Sequence, residues 1–561
     1  MRHTTFKATR TLRAARLGLL TATALTLGAT AAHAYNGDPA YFQYDSGMTM
    51  VTEPSGGLSG GSGVTLNTSA AVGVSFEGVS QYDLRRILGF SFIPPDTMGA
   101  VGATQFMETT NGVYAIYSKT GALQSMVRGD DFWAAAGGAP NLNGDARVMY
   151  DTRSSRWIVE SFGASLDTIQ IAVSNTSDAL GPWQSTSFTG FAGGIADYPT
   201  LAIDSKAVYI GTNNFSGATG NPFQGVTLNV IKRSDLFGAG APVTTSLKQF
   251  VTPLSAIFGG ADPGFAIQGV NNGDGHIIAV SIQTSDLIRY NVAHPGTAGA
   301  TLTDLAGNPL DPNHPTYLGT QPYGANNPGA QPGDAAIGGP VIDTLDDRIS
   351  GSAWEQNGKI YAVHTVTPIG AVHTAVVWTV SDAATGHLIQ EGTISGGGYD
   401  YYQGSLAVNA SGQVVIGYDR SGSNAGDGLI SVFAQTFNPL LGGNGALVGT
   451  GTFLLHVSNT DQYHNGSVDH QPAVGRQRWG DYSAVTVDPD NIENFWVIGE
   501  FAREFNDAEN GHPGGSGGSR WGTWITELTL SAVPEPAAWS MMLVGFGLVG
   551  GALRRRVAKT A

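Results

Sequence analysis

The sequence contains no cysteine, which excludes disulfide bonds, thiolate metal sites and a cysteine nucleophile. Only 13% of its 561 residues are charged, and no central segment sustains a helical repeat of apolar residues beyond about two turns. Basic residues are scarce, since 28 Lys and Arg stand against 44 Asp and Glu. Outside residues 1–34 and 534–561 the net charge is about −24, which argues against nucleic-acid binding because such a surface repels phosphate backbones.

Glycine and apolar residues are abundant instead. The chain has 79 glycines, and 41% of its residues are hydrophobic, with 23 Phe, 19 Tyr and 10 Trp. Many short strands joined by Gly-rich turns have this composition, and the aromatic content can supply a large buried core. From Ala71 onward, alternating polar and apolar residues replace the Gly, Ser, Thr and Pro of residues 35–70. The sequence therefore predicts an all-β core over 71–530, preceded by a loose arm over 35–70.

The N-terminus has the three parts of a secretory signal peptide. Five basic residues precede an apolar stretch over 17–27, and Ala32-His33-Ala34 forms a small-residue cleavage site. We expect export with cleavage after Ala34, so that residues 1–34 are absent from the mature protein.

The C-terminal segment 533–561 also has three parts. Pro534-Glu535-Pro536 and Trp539 precede an apolar run, and Arg554-Arg555-Arg556 ends it. A helix over about 537–553 is near the minimum length for spanning a bilayer, and its arginines are expected on the cytoplasmic side.

This tail resembles the PEP-CTERM sorting signal, in the variant with Trp two residues after Pro-Glu-Pro, although Ser540 follows the Trp where the family usually has Ala. The resemblance covers about the last 28 residues. It implies transient insertion in the inner membrane, recognition by an exosortase, and cleavage near Pro534-Glu535-Pro536. It also implies a Gram-negative source that makes extracellular polysaccharide, and a final location at the outer surface or outside the cell.

The core repeats one unit seven times. Each unit begins with a polar opening, continues as a strand of small and β-branched residues, and reaches a second strand after a tight turn. The openings begin near Pro94, Gly144, Asp197, Asp262, Asp347, Tyr402 and Arg478. Four strands per unit predict a β-propeller of seven blades, with six or eight as alternatives, closed by pairing of the strands near 72–76 and 521–530. A β-sandwich array remains the alternative, since the spacing of the units is irregular.

The openings Gly-Asp-x-Arg-Val, Asp-Tyr-Pro and Arg-Trp-Gly-Asp-Tyr-Ser resemble those of an uncharacterised group of exported bacterial propeller-like proteins. This resemblance covers most of residues 90–505. It implies the fold and carries no activity.

If the openings line a central channel, their polar side chains gather in one funnel. The candidate ligand-binding residues are Asp96, Asp145, Arg147, Asp197, Tyr198, Arg348, Arg478, Asp481 and Tyr482, with Gln403 beside them. Arg grips carboxylates in a bidentate manner and aromatic faces stack on sugar rings, so the set suits glycan recognition. The competing interpretation is structural, because Asp often caps turns at the start of a strand and Asp–Arg pairs lock neighbouring units together.

Arginines with a tyrosine beside carboxylates also occur in sialidases, where Tyr is the nucleophile. The chain has no copy of the repeated Asp-box that is typical of sialidases, which weakens that comparison. No catalytic residue can be assigned from the sequence.

The sequence contains little evidence for a metal-binding site. His364 and His373 flank one turn, and His464 and His470 another, without the spacing of zinc enzymes. The turns 271–275 and 488–491 could offer oxygens to a structural calcium ion, although neither has the full ligand set. We predict no cofactor and leave the structural calcium ion open.

Three functions follow from these observations. The first is a surface or matrix protein that binds extracellular glycan or protein without catalysis. The second is a secreted glycoside hydrolase or polysaccharide lyase that uses the Asp/Arg/Tyr funnel. The third is a structural element of a biofilm with no specific ligand. Secretion machinery and exosortase are the expected partners in all three.

Overall fold

The computed structural model describes residues 51–52 and 70–530, except 218–222, 254–261, 263, 309–315, 335–338, 341, 440–444, 461–476 and 511–517. The described chain is all-β, as the sequence predicts. Short helices at Gln81–Leu88, Gly129–Ala135 and Arg233–Phe237 connect strands. No helix within the described ranges is long and apolar enough to cross a membrane.

Most of the described strands fall into seven four-stranded antiparallel sheets, which we number by the position of their first strand. Sheets 1 to 4 consist of Met98–Val101, Gln105–Thr110, Val113–Ser118 and Leu123–Arg128 (sheet 1); Arg147–Asp151, Arg156–Phe162, Thr168–Ser174 and Trp183–Thr189 (sheet 2); Ala202–Ile203, Ala207–Ser216, Phe223–Lys232 and Lys248–Pro253 (sheet 3); and Phe265–Asn271, His276–Val280, Leu287–Ala293 and Thr301–Thr303 (sheet 4). Sheets 5 to 7 consist of Ala353–Gln356, Lys359–Pro368, Ala375–Asp382 and Leu388–Ile394 (sheet 5); Asp400–Val408, Val414–Ser421, Ser431–Asn438 and Val448–Val457 (sheet 6); and Ala484–Val487, Asn494–Phe505, Ser519–Thr529 and Ala71–Ser80 (sheet 7). The first strands of sheets 4 and 5 also pair with each other in parallel, Val270 with Ala353 and Asn271 with Trp354.

Local turn chemistry explains why consecutive strands pair. Asn357 and Gly358 join the first two strands of sheet 5 with φ values of 55° and 73°. Two consecutive left-handed residues make a turn whose twist matches that of antiparallel strands, and Asn-Gly is the pair that adopts it at least cost. The sequence therefore forms hairpins unit by unit.

The sheets are arranged in a ring. Each sheet contacts the next along the chain, and the first strand of sheet 7 contacts the first strand of sheet 1. Sheet 7 is completed from both ends of the described chain, because Ala71–Ser80 pairs with Ser519–Thr529. This confirms the predicted pairing of the early and late strands. Pairing of this kind covers an edge that would otherwise stay exposed.

Apolar side chains pack between neighbouring sheets. Ile158 and Ile171 of sheet 2 pack with Ile210 of sheet 3 in one cluster, and all three are fully buried. A second cluster joins sheets 6 and 7 through residues that include Val415 and Val497. Neighbouring sheets thus bury their faces against one another, and a further cluster that includes Phe106, Trp157 and Trp496 extends over sheets 1, 2 and 7.

Several short strands lie outside the repeated pattern. They are Val51–Thr52, Gly194–Asp197, Thr316–Tyr317, Tyr323–Gly324, Ile342–Asp343 and Gln477–Arg478. Val51–Thr52, in the predicted loose arm, pairs in parallel with Gly392 and Thr393 of sheet 5. Gln477–Arg478 pairs in parallel with Ile342–Asp343, so Arg478 precedes sheet 7 rather than lying within it. Three of these strands fall between sheets 4 and 5, which explains the irregular spacing of the units.

Sheets 3 and 4 approach each other most closely at Gly211. A Cβ atom at this position would lie 1.6 Å from the carbonyl oxygen of Ile267. The same carbonyl accepts a hydrogen bond from the Thr200 hydroxyl at 3.0 Å. Only glycine permits this approach, because backbone on both sides leaves no flexible group to move.

We predict that Gly211→Ala lowers the free energy of unfolding by about 3 kcal/mol, since inserted atoms force two backbones apart. Gly240→Ala is the matched control, because no atom lies within 4 Å of its Cβ position. The measurement is the urea midpoint of both variants and of the unmodified chain. Equal midpoints for the two variants would contradict the close contact between sheets 3 and 4.

Candidate functional site

The polar openings of several sheets meet inside the ring. Asp96, Asp145 and Tyr198 each lie a few residues before the first strand of their sheet, and Gln403 lies within the first strand of sheet 6, at an irregularity in its pairing. All four have φ between 51° and 57°. A residue other than glycine is uncommon in this left-handed region, although Asp tolerates it better than most. The repeated opening in the sequence is thus a repeated left-handed turn. We call the nine candidate residues named above, from Asp96 to Tyr482, the inner cluster.

Two stacked tyrosines lie within the inner cluster. The rings of Tyr198 and Tyr482 are 4.7 Å apart and 12° from parallel. The guanidinium carbon of Arg348 is 4.4 Å from the Tyr198 ring centre, and that of Arg147 is 4.6 Å from the Tyr482 ring centre. Cations held against aromatic faces away from water contribute about 2 kcal/mol each. Residues from sheets 2, 3 and 7 and from the segment before sheet 5 are therefore packed together.

Asp481 is a carboxylate shared by two arginines, Arg348 and Arg478. Its side chain accepts hydrogen bonds at 3.2 Å from both Arg348 and Arg478. Arg348 also donates to both carboxylate oxygens of Asp346 at 2.7 Å. The backbone N–H of Asp481 donates to Asp96 at 2.9 Å. One residue thus connects sheet 7 with sheet 1 and with the segment before sheet 5.

Asp96 and Asp145 are joined through Asn111. The Asn111 side chain donates to Asp96 at 2.6 Å and accepts from the backbone N–H of Asp145 at 3.0 Å. The carboxylate of Asp145 accepts from the Tyr482 hydroxyl at 3.1 Å. The openings of sheets 1, 2 and 7 are linked by this chain of bonds.

Burial raises the pKa of three acids of the inner cluster and so favours their neutral form. Burial raises the pKa of Asp96 to about 7, with a further increase from Asp481. Burial, followed by repulsion from Asp96, raises the pKa of Asp145 well above its usual range. Burial raises the pKa of Asp197 to about 6 even though Arg348 opposes the change. Two or more carboxylates in one dry site cannot all ionise cheaply.

The pKa of Arg348 shifts in the direction that favours its charged form. Burial lowers the pKa of Arg348, but Asp346 and Asp481 outweigh it, so the net shift is well upward. Arg348 therefore stays charged. A buried cation with two carboxylate partners is stable only while both partners remain.

The inner cluster is mostly closed to solvent. Asp96, Arg147 and Tyr198 are at most 1% exposed, and Asp145, Arg348, Asp481 and Tyr482 are also buried. Only Asp197 and Arg478 are partly exposed. The structure brings the predicted residues together, as expected for a shared centre, but their polar groups are bonded mainly to one another.

Several members of this centre were missed by the sequence interpretation. Asn111 and Asp346 hold the cluster together, and Glu160 lies directly opposite Arg147 on the next strand of sheet 2. A signal existed for Glu160, because it is an acid at the end of the apolar run Trp157-Ile158-Val159 within a buried strand. No local signal marks Asn111.

The predicted metal residues have other partners. His364 contacts the carbonyl oxygen of Asp347 at 3.0 Å, and burial lowers its pKa to about 4. His373 contacts Asp400 at 3.2 Å, and Asp488 binds Lys119 and backbone N–H groups of its own turn. His464 and His470 lie outside the described residues. No group of three or more His, Asp or Glu in the described ranges is placed to hold a metal, and the structural calcium ion stays a prediction.

Comparison with known proteins settles the identity of the tail. Residues 532–556 match the PEP-CTERM protein-sorting motif. The chain is an exported, PEP-CTERM-sorted protein. It is anchored in the membrane in transit and destined for the cell surface. The predicted signal peptide, the membrane helix over 537–553 and the motif residues themselves lie outside the described residues.

Several solved structures are distantly similar to the core. A polysaccharide lyase described as a PL25 ulvan lyase is 12% identical, covering 72% of this chain and 88% of its own, with a TM-score of 0.37. The polysaccharide lyase Uly1 is 11% identical, covering 79% and 92%, with a TM-score of 0.36. A protein of unknown function from Dyadobacter fermentans is 10% identical, covering 69% and 94%, with a TM-score of 0.34. TM-scores of this size do not establish a shared fold, and no curated protein sequence matches the chain.

Glu160 allows a test of the buried acids. Burial raises its pKa to about 8, although Arg147 opposes the change, and neither carboxylate oxygen has a hydrogen-bond partner in the described ranges. An acid whose pKa is higher in the folded chain binds more protons there than in the unfolded chain. Its contribution is therefore fully present below the unfolded pKa and is lost as the pH rises toward about 8.

We predict that the free energy of unfolding falls between pH 5.5 and 8.5, and that Glu160→Gln removes on the order of 3 kcal/mol of that fall. Urea unfolding at the two pH values measures it. Glu509→Gln, at an exposed position, serves as the control and is expected to keep the slope of the unmodified chain. An unchanged slope in Glu160→Gln would show that Glu160 does not titrate in this range.

Proposed function

We propose that this protein is a seven-bladed β-propeller, processed by exosortase, that binds extracellular glycan or protein without catalysing a reaction. The ring of seven four-stranded sheets supports the propeller, with each sheet as one blade and Ala71–Ser80 as the strand that closes the last blade. The PEP-CTERM match supports processing by exosortase.

The proposal that the protein does not catalyse a reaction rests on the burial of the inner cluster. A general acid or nucleophile must reach its substrate within hydrogen-bond distance. Asp96, Asp145 and Asp481 are buried and bonded to other residues of the protein. Burial also raises the pKa of Tyr198 and of Tyr482 well above its usual range, which is the reverse of what a tyrosine nucleophile requires.

One observation favours the alternative of a glycan-active hydrolase or lyase. Asp197 is partly exposed, and burial raises its pKa to about 6. A carboxyl group that titrates near neutral pH suits general acid–base catalysis. Arg478, also partly exposed, is close enough to lower that pKa. These two residues are the ones on which an enzyme would depend.

A screen against neutral and acidic polysaccharides separates the possibilities. We expect the purified protein to retain at least one polysaccharide in pull-down and calorimetry, with no reducing ends or unsaturated products above the buffer blank. Release of products that Asp197→Asn abolishes would establish the enzyme and refute our proposal. If the screen finds neither binding nor release of products, the structural role in a biofilm is the one that remains.

A further inference from the structure

A surface cavity of about 480 Å³ lies where sheet 3 meets sheet 4. Its lining residues are Ser205, Lys206, Lys232, Arg233, Ser234, His294, Pro295, Gly296 and Thr297. Ligand cavities of a few hundred Å³ hold small organic molecules, so this one has room for one or two sugar units.

The cavity has an unusual charge for this protein. Its lining contains two lysines, an arginine and a histidine but no carboxylate, whereas the whole chain has a net charge of −16. Ser205, Ser234 and Thr297 add three hydroxyl groups. Cations and hydroxyl donors on one concave surface suit an anion that also carries hydroxyl groups.

Part of this positive charge is already matched by neighbouring acids. Lys206 binds Asp274 at 2.7 Å, and Arg233 binds Asp151. Lys232 is exposed and has no ion pair within the described ranges, and the Nε of Arg233 is buried without a hydrogen-bond partner there. The unmatched charge of the cavity is therefore concentrated at Lys232.

The walls of the cavity are held in place without a ligand. The backbone N–H of Arg233 donates to the carbonyl of Lys206 at 2.8 Å, and that of Lys232 donates to Ser246 at 2.9 Å. Gly296 packs against both segments, since a Cβ atom there would lie 2.9 Å from the oxygen of Lys206 and 3.1 Å from the Cα of Lys232. A preformed wall lowers the entropy that binding must overcome.

We propose that this cavity binds a sugar unit through its carboxylate or sulfate group, with Lys232 as the principal cation. The proposal rests on the glycan-binding function above and names its ligand as an anionic glycan. Lys232 contacts the anionic group, and the hydroxyls and His294 contact the ring hydroxyls.

The test is calorimetric titration of the full chain in mild detergent with D-glucuronate, glucose 6-sulfate, glucose and inorganic phosphate. We expect the two acidic sugars to bind at least tenfold more tightly than glucose, and Lys232→Gln to weaken them about tenfold. Lys248→Gln removes the same charge from the same sheet outside the lining, and is expected to bind like the unmodified chain.

Three results would overturn the proposal. They are equal binding of glucose and glucuronate, binding of phosphate as tight as that of glucuronate, and an equal loss in both lysine variants. Polysaccharide pull-down then separates this proposal from the general function. If Lys232→Gln retains an anionic polysaccharide as well as the unmodified chain does, the glycan-binding function stands and binding at this cavity is refuted. If the chain binds glucuronate but retains no polysaccharide, binding at the cavity is supported and the proposed glycan-binding function is refuted.

Discussion

A carboxylate removed from water must be paired, because its uncompensated burial costs several kcal/mol. Asp481 is 5% exposed and lies between Arg348 and Arg478, while its backbone N–H binds Asp96. Arg348 and Asp96 are 133 and 385 residues from Asp481 in the sequence, whereas Arg478 is 3 residues away. The pairing of Asp481 therefore fixes how the opening of sheet 7 meets the opening of sheet 1 and the segment before sheet 5.

The rest of the architecture follows from this constraint together with local pairing. Hairpins form each sheet from adjacent residues, as the Asn357-Gly358 turn illustrates. Apolar clusters then hold the sheets together, some of them between two neighbours and one of them across several sheets. The inner cluster links sheets on several sides of the ring through directional bonds. Because the inner cluster is mostly buried, a ligand is expected at its partly exposed residues Asp197 and Arg478 or at the cavity near Lys232.

Much of the fold was predictable from the sequence because the sequence pattern is periodic. The alternation within each unit, the seven openings and the pairing of the early and late strands are all repeated or complementary patterns. Arg478 was predicted to lie in the polar opening of the seventh unit, but its parallel pairing with residue 343 was not predicted, since parallel pairing between distant segments leaves no local pattern. The sequence predicted that the nine candidate residues converge, and it left two interpretations open, an accessible funnel and Asp–Arg pairs that join neighbouring units. Whether an Asp side chain faces solvent or a buried arginine depends on packing between sheets, and Asn111 and Lys232 were missed for the same reason.

The central claim is that the inner cluster holds the ring together through Asp481. A double-mutant cycle of Asp481→Asn and Arg348→Met, measured by urea unfolding, tests it most directly. We predict that each single change lowers the free energy of unfolding by on the order of 3 kcal/mol, because each removes one ion-pair partner from a buried charge. The double variant is expected to lose at least about 1.5 kcal/mol less than the two single losses combined. Losses that add within about 0.5 kcal/mol would contradict the claim.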